Sequence, residues 1–139
     1  MFKTLIANIK TTLDKVTELA YVYDYPVVNL DGYPSAIFYP VSVDNSYITN
    51  AENLKAYNFK IFVIVEMTIK DKQTAFNTIL SGAVDAVIAQ FDEDWDGGTI
   101  GGHRAWYELN SGDWYSNEVT DGQQGIAELN LTVNLMTNN

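Results

Sequence analysis

His103 is the single histidine of the 139-residue chain and cysteine is absent, so disulfides, thiolate metal sites and cysteine nucleophiles are excluded and one imidazole remains for chemistry. A histidine base needs a nucleophile to activate and a carboxylate to orient it, and no Gly-x-Ser-x-Gly elbow or comparable signature is present. The simpler reading of His103, between Gly101-Gly102 and Arg104, is an exposed histidine in a loop or at a strand edge. As a zinc ligand it would have only carboxylates for company, a poor structural set. Asp92, Asp94, Asp96 and Gly97 match the first, third, fifth and sixth positions of a calcium loop, where oxygen donors and a glycine turn wrap a hard cation. The twelfth position is His103 rather than the bidentate glutamate that closes such a site. The cluster therefore reads first as the solvated exit of a helix, and second as a weak divalent site completed by a neighbouring subunit.

The glycine pairs Gly97-Gly98 and Gly101-Gly102 lack the following Lys-Ser or Lys-Thr of a phosphate cradle. Trp106, Tyr107, Trp114 and Tyr115 could stack on bases, yet Arg104 is the only cation near them, so core or interface packing is the stronger reading. Lys3, Lys10 and Lys15 recur along one helix and read as a solvated face, with an acidic partner as the other reading. A carboxylate pair for glycoside hydrolysis has nothing in the sequence to favour it. On these residues the expectation is a non-enzymatic assembly or binding domain needing no cofactor and no metal.

Charge sharpens that reading. Eighteen acidic against eight basic side chains leave a formal charge of −10, opposing any tight grip on nucleic acid phosphate. Up to Lys72 the balance is seven basic to eight acidic; from Gln73 onward Arg104 alone faces ten carboxylates. With apolar residues at 47% and aromatics at 13%, the chain has the material for a packed core, and its length suits one domain spanning 1–139. No apolar run approaches the roughly 18 residues of a membrane span, and the N-terminus lacks a secretory pattern, so a soluble, intracellular product without a membrane partner is expected.

Two kinds of element must position these groups. Phe2, Leu5, Ile6, Ile9, Leu13 and Val16 recur at three- and four-residue steps and predict an amphipathic helix of about 18 residues. A second helix is predicted from Ala75 or Phe76 through Ile79, Leu80, Ala83, Val84, Val87, Ile88 and Phe91, with Asp71 as its cap. Gly82 within it would be favoured if a neighbouring element came close. Tyr57 to Ile69 alternates as a long strand whose second face, carrying Phe62 and Ile64, needs cover of its own; Ala127 to Leu135 alternates as a strand with one polar face. Ser35 to Val41 predicts a shorter strand and Tyr21 to Val28 an extended segment, while Arg104 to Leu109 and Trp114 to Ser116 suggest a hairpin about Asn110 to Asp113. Ser42 to Asn53 and Phe91 to Gly102 read as long loops. The order of elements predicts an α+β fold: an antiparallel or mixed sheet with two amphipathic helices packed on one face.

Gly32-Tyr33-Pro34-Ser35-Ala36-Ile37-Phe38-Tyr39-Pro40, a polar loop with Thr49, Asn50 and Asn53, and then Tyr57-Asn58-Phe59-Lys60-Ile61 resemble the tail terminator (tail completion) proteins of long-tailed bacteriophages. The flanking order agrees: an N-terminal helix, a second helix ending in Val84-Asp85-Ala86-Val87-Ile88-Ala89-Gln90-Phe91, a loop and a closing alternating strand. The resemblance spans nearly the whole chain. It implies a self-associated, hexameric ring on the last ring of the tail tube, which ends tube polymerisation, meets the head connector or neck protein, and lets DNA pass through its lumen without specific binding. It also implies a place in the virion tail or neck, reached from the host cytoplasm during assembly. A closed ring needs two different patches per subunit. Tyr47, Ile48, Thr49, Asn50, Asn53, Trp106 and Trp114 are the interface candidates, and Asp92, Glu93, Asp94, Asp96 and Glu128 the candidates for an acidic lumen. The Gly-rich loop and the Trp-rich segment have no counterpart in the family pattern. Another neck, head-completion or tail tube component, or a divalent-cation-dependent binding module, are the alternatives.

Overall fold

The structure, a computed structural model, describes residues 1–48, 52–67, 71–119 and 122–138. Helix α1 (Phe2–Asp14) is followed by strands β1 (Tyr21–Tyr23), β2 (Ser35–Tyr47) and β3 (Glu52–Met67). Helix α2 (72–93) comes next, then β4 (Asp96–Ile100), β5 (His103–Val119) and β6 (Gly122–Asn138). The α+β expectation is overturned: 54% of the chain is sheet, curled into a six-stranded half-barrel, and 27% is helix. The excess of strand lies where loops were expected. Ser42 to Tyr47 continues β2 and Asp96 to Ile100 forms β4, while the proposed turn at Asn110 to Asp113 lies inside an unbroken β5. Edge residues explain the discrepancy, because a strand paired on one side and bare on both faces carries no apolar alternation. Thr49, Asn50, Thr68 and Ile69 lie outside the described residues.

Leu5, Ile9 and Leu13, spaced by one helical turn, are fully buried on α1. The helix stops at Asp14, short of the expected length, and the core stripe continues into hydrogen-bonded turns that bury Val16 and Leu19. Helix α2 is a 22-residue helix in which Ala75–Leu80 takes the wider π turn. That extra width rephases the apolar stripe, so Ile79 is exposed while Leu80, Ala83, Val84, Val87 and Phe91 are buried. Asp71 precedes the helix without a side-chain capping bond. No neighbour comes near Gly82, so close approach is not what places glycine there.

The sheet order is β1-β2-β3-β6-β5-β4; β1 runs parallel to β2 and the other pairs are antiparallel. One face of β3 and β6, built from Tyr57, Phe59, Ile61, Val63 and Val65 against Ala127, Leu129, Leu131, Val133 and Leu135, packs with both helices into the main core. On the opposite face Ile37, Ile64 and Ile126 form a second cluster with Phe62, covered by Tyr23, Val27, Leu30 and Tyr33. The cover that Phe62 and Ile64 required is thus the 23–33 segment, which is not strand beyond Tyr23, the last residue of β1. Tyr33-Pro34, a cis peptide, leads from it into β2. Among the described residues no helix is long and apolar enough to cross a membrane.

Candidate functional site

The least satisfied parts of the fold are two half-strands. β1 pairs with Ser35, Ala36 and Ile37, and beyond that point the outer edge of β2 has no strand partner among the described residues. On the opposite border β4 pairs with β5 from His103 to Trp106, and the Trp95 carbonyl accepts from the Tyr107 amide; from Glu108 onward the outer edge of β5 has no strand partner among the described residues. Each open edge contains a bulge, at Pro40/Ser42 in β2 and at Ser111/Trp114 in β5. The registers put Tyr47 at the same end of the sheet as Asn138 and His103, and the last residues of β5 at the end of Ser35 and Met67. The two bare edges therefore occupy diagonally opposite corners.

Of the proposed interface residues, Tyr47 (71% exposed) and Ile48 (54%) stand at the tip of the β2–β3 hairpin. Asn53 opposes Tyr47 but is buried at 3%; its amide donates to Asn45 Oδ1 at 3.1 Å and its carbonyl accepts from Thr137 Oγ1 at 3.1 Å. It braces the hairpin from inside. Trp106 and Trp114 are not brought together. The extra residue of the β5 bulge reverses the alternation, so Tyr107 and Trp114 face the helices whereas Trp106 and Tyr115 face the other side. Trp114 packs edge-on against Phe76 at 6.1 Å and Tyr107 against Phe91 at 5.7 Å. Burial of Tyr107, with Asp94 nearby, raises its phenol above the ordinary value of 10.0. Arg104 lies 5.8 Å from the centre of the Trp106 ring, and the two share a pocket of about 450 Å³ with Trp95, Glu52 and Met136.

The acidic candidates are likewise divided. Asp92 and Glu93 are exposed at the end of α2. Asp94 accepts hydrogen bonds from Gln90 Nε2 at 2.9 Å and Lys15 Nζ at 3.0 Å, and these, in that order, hold its carboxyl below the ordinary 3.8. Asp96 Oδ1 instead accepts from the Gly98 amide at 3.0 Å. Among the described residues no group of three or more histidine and carboxylate side chains is placed to hold a metal, and His103 opens β5 opposite Ile100. The calcium-loop spacing is drawn apart by the ion pair that ties α2 to Lys15 and by the entry of Asp96 into β4. Glu128 lies on the face away from the helices, where Tyr115 donates to it at 3.2 Å.

That outer face holds a polar ladder which the linear sequence concealed. Asn58 Nδ2 donates to Asp44 Oδ2 at 2.9 Å and lies 3.1 Å from Ser42 Oγ, while Thr132 Oγ1 donates to Asn58 Oδ1 at 3.0 Å. Three strands are thereby clamped at the root of the open β2 segment. Alternation marks Asn58 and Thr132 as polar-face residues, but only register makes them neighbours.

No protein-family model matches the chain, and no curated protein matches it. Among solved structures, a chain of one described as "Virion of native gene transfer agent (GTA) particle" is similar at 15% identity and a TM-score of 0.49, covering 99% of this chain and 96% of that chain.

Proposed function

We propose that the protein is a structural virion subunit of the tail terminator kind, forming a hexameric ring at the head-proximal end of a tail tube. The observation that carries the reading is the pair of open sheet edges at opposite corners, each on a different strand and with a different composition. Two unlike patches on one subunit are what a closed ring with heterologous interfaces requires. Natural sheets usually guard their borders, and here β1 and β4 guard one end of each border strand and leave the rest free.

The residues of the family resemblance support the same reading. Gly32 to Pro40 enters and forms the first half of β2, and Tyr57 to Ile61 lies beside it in β3. In the ring, one face meets the tail tube protein, the other the head connector, and the net charge of −10 keeps DNA phosphate from adhering as the genome passes. Exposed Asp92 and Glu93 and the outer-face Glu128 are the groups proposed for that repulsion.

The test is to add purified protein to growing tail tubes and image them by negative stain. One ring capping one tube end, with elongation halted, is the expected result. Continued stacking would assign the chain to the tube, and a persistent monomer that never occupies tube ends would contradict the reading.

A further inference from the structure

We infer that the subunits join edge to edge, with the open β2 segment Ser42–Tyr47 of one copy adding as an antiparallel strand to the open half of β5, residues 108–119, of the next. The inference rests on the self-association proposed above and specifies its contact. Three antiparallel pairings separate β2 from β5 in the sheet order, so the two strands run in opposite directions. A second copy set beside the first in the same orientation consequently presents β2 antiparallel to β5, the geometry with perpendicular interstrand hydrogen bonds. Because the open segments sit at diagonal corners, neighbouring copies are offset along the strands, the same stagger that closes a tilted sheet into a barrel.

Composition favours this unlike pairing over a like one. Val41, Val43 and Tyr47 are exposed on β2, and Trp114 and Tyr115 are exposed on the open half of β5, so both edges bring apolar area. Glu108, Asp113 and Glu118 are exposed along β5 from 108 to 118, a stretch with no lysine or arginine. Two β5 edges facing each other would oppose these carboxylates. The β2 side instead has one exposed carboxylate, Asp44, already engaged by Asn58, with Lys55 opposite Asn45 and Lys60 opposite Tyr39 one strand behind the edge. Beyond Pro40 and its bulge, Ser42–Tyr47 contains no proline, lysine or further bulge to refuse a partner.

The absence of cysteine makes the contact directly testable. Val43 and Ser116 point to the same sheet face, the helix side, so Val43→Cys with Ser116→Cys in one chain should crosslink between copies under oxidation or with a short bismaleimide. The expected product is a ladder of multimers that reducing agent removes from the oxidised sample, with each single variant remaining uncrosslinked. High salt should lower the yield. Val43→Lys, which places a charge on the edge, should abolish assembly while leaving the far-UV spectrum unchanged. Crosslinking of Val43→Cys alone would show β2 meeting β2, and of Ser116→Cys alone β5 meeting β5; either overturns the inference. A double variant that assembles without crosslinking by either reagent would also overturn it, though the ring reading would stand. Failure to assemble at any concentration, with or without tube ends, would remove the ring reading as well.

Discussion

The two halves of β2 share one partner strand and differ in nearly everything else. Ser35 to Phe38 is buried, flanked by β3 and, as far as Ile37, by β1, and pressed between the main core and the second cluster; Val41 to Tyr47 is exposed throughout and, among the described residues, bordered by β3 alone. Strand β5 repeats the contrast in reverse order, with Ala105 and Tyr107 buried near β4 and residues 113–118 exposed at its far end. A single strand thus serves stability over one half and remains available over the other. The lesson concerns division of labour: the middle of the sheet is closed on both faces, and what is left unsatisfied is concentrated at two corners.

Substitutions should separate the two regimes. Phe59, nearly inaccessible and in edge contact with Phe2 at 5.9 Å, anchors the closed region; Phe59→Ala should cost about 3–5 kcal/mol in urea denaturation. Ile126→Ala, in the smaller outer cluster, should cost about 2 kcal/mol because its loop cover can partly collapse into the space. Asn58→Ala, which severs the ladder at the root of the open segment, should cost about 1 kcal/mol and loosen the β2–β3 hairpin, visible as faster amide exchange. Val43→Ala should change monomer stability by less than about 0.5 kcal/mol while weakening assembly. A comparable loss at Val43 and at Phe59 would erase the distinction between closed and open halves.

Titration gives a small and specific effect. Asp94 is held below its ordinary value in the fold, so its contribution is present above pH 3.8 and is lost as pH falls through the lowered value. Lys15→Ala should remove about 0.2–1 kcal/mol at neutral pH and flatten that acid limb. Tyr107 behaves oppositely: its neutral form is favoured, so the contribution holds below pH 10.0 and fades as pH rises through the raised value. Tyr107→Phe should remove that alkaline loss from the pH profile of stability.

Both helices were legible in the sequence because Leu5, Ile9 and Leu13, and Val84, Val87 and Phe91, keep a helical period that burial enforces. The alternation of Tyr57 to Val65 and Ala127 to Leu135 was legible for the same reason, as was the need for a cover over Phe62 and Ile64. The fold class was misread because half of β2, all of β4 and the middle of β5 are polar or glycine-rich, and they are strands through pairing with a neighbour rather than through their own pattern. The π turn at Ala75–Leu80 has no counterpart in the apolar spacing, so Ile79 was assigned to the core it does not enter. The one-residue bulge at Gly112 and Asp113 is equally silent, yet it decides which face each tryptophan of β5 occupies. Tyr47 and Ile48 entered as interface candidates through the family resemblance, and both are exposed; the ladder of Asp44, Asn58 and Thr132 was not legible, because it depends on register across three strands.

Native mass spectrometry of the purified chain across a range of protein concentrations reads ring closure itself. Two complementary open edges that close on themselves predict monomer giving way to a single discrete closed oligomer, a hexamer on the proposed terminator reading, with nothing larger at the highest concentration. An unbroken series of growing multimers, or monomer throughout, would contradict it.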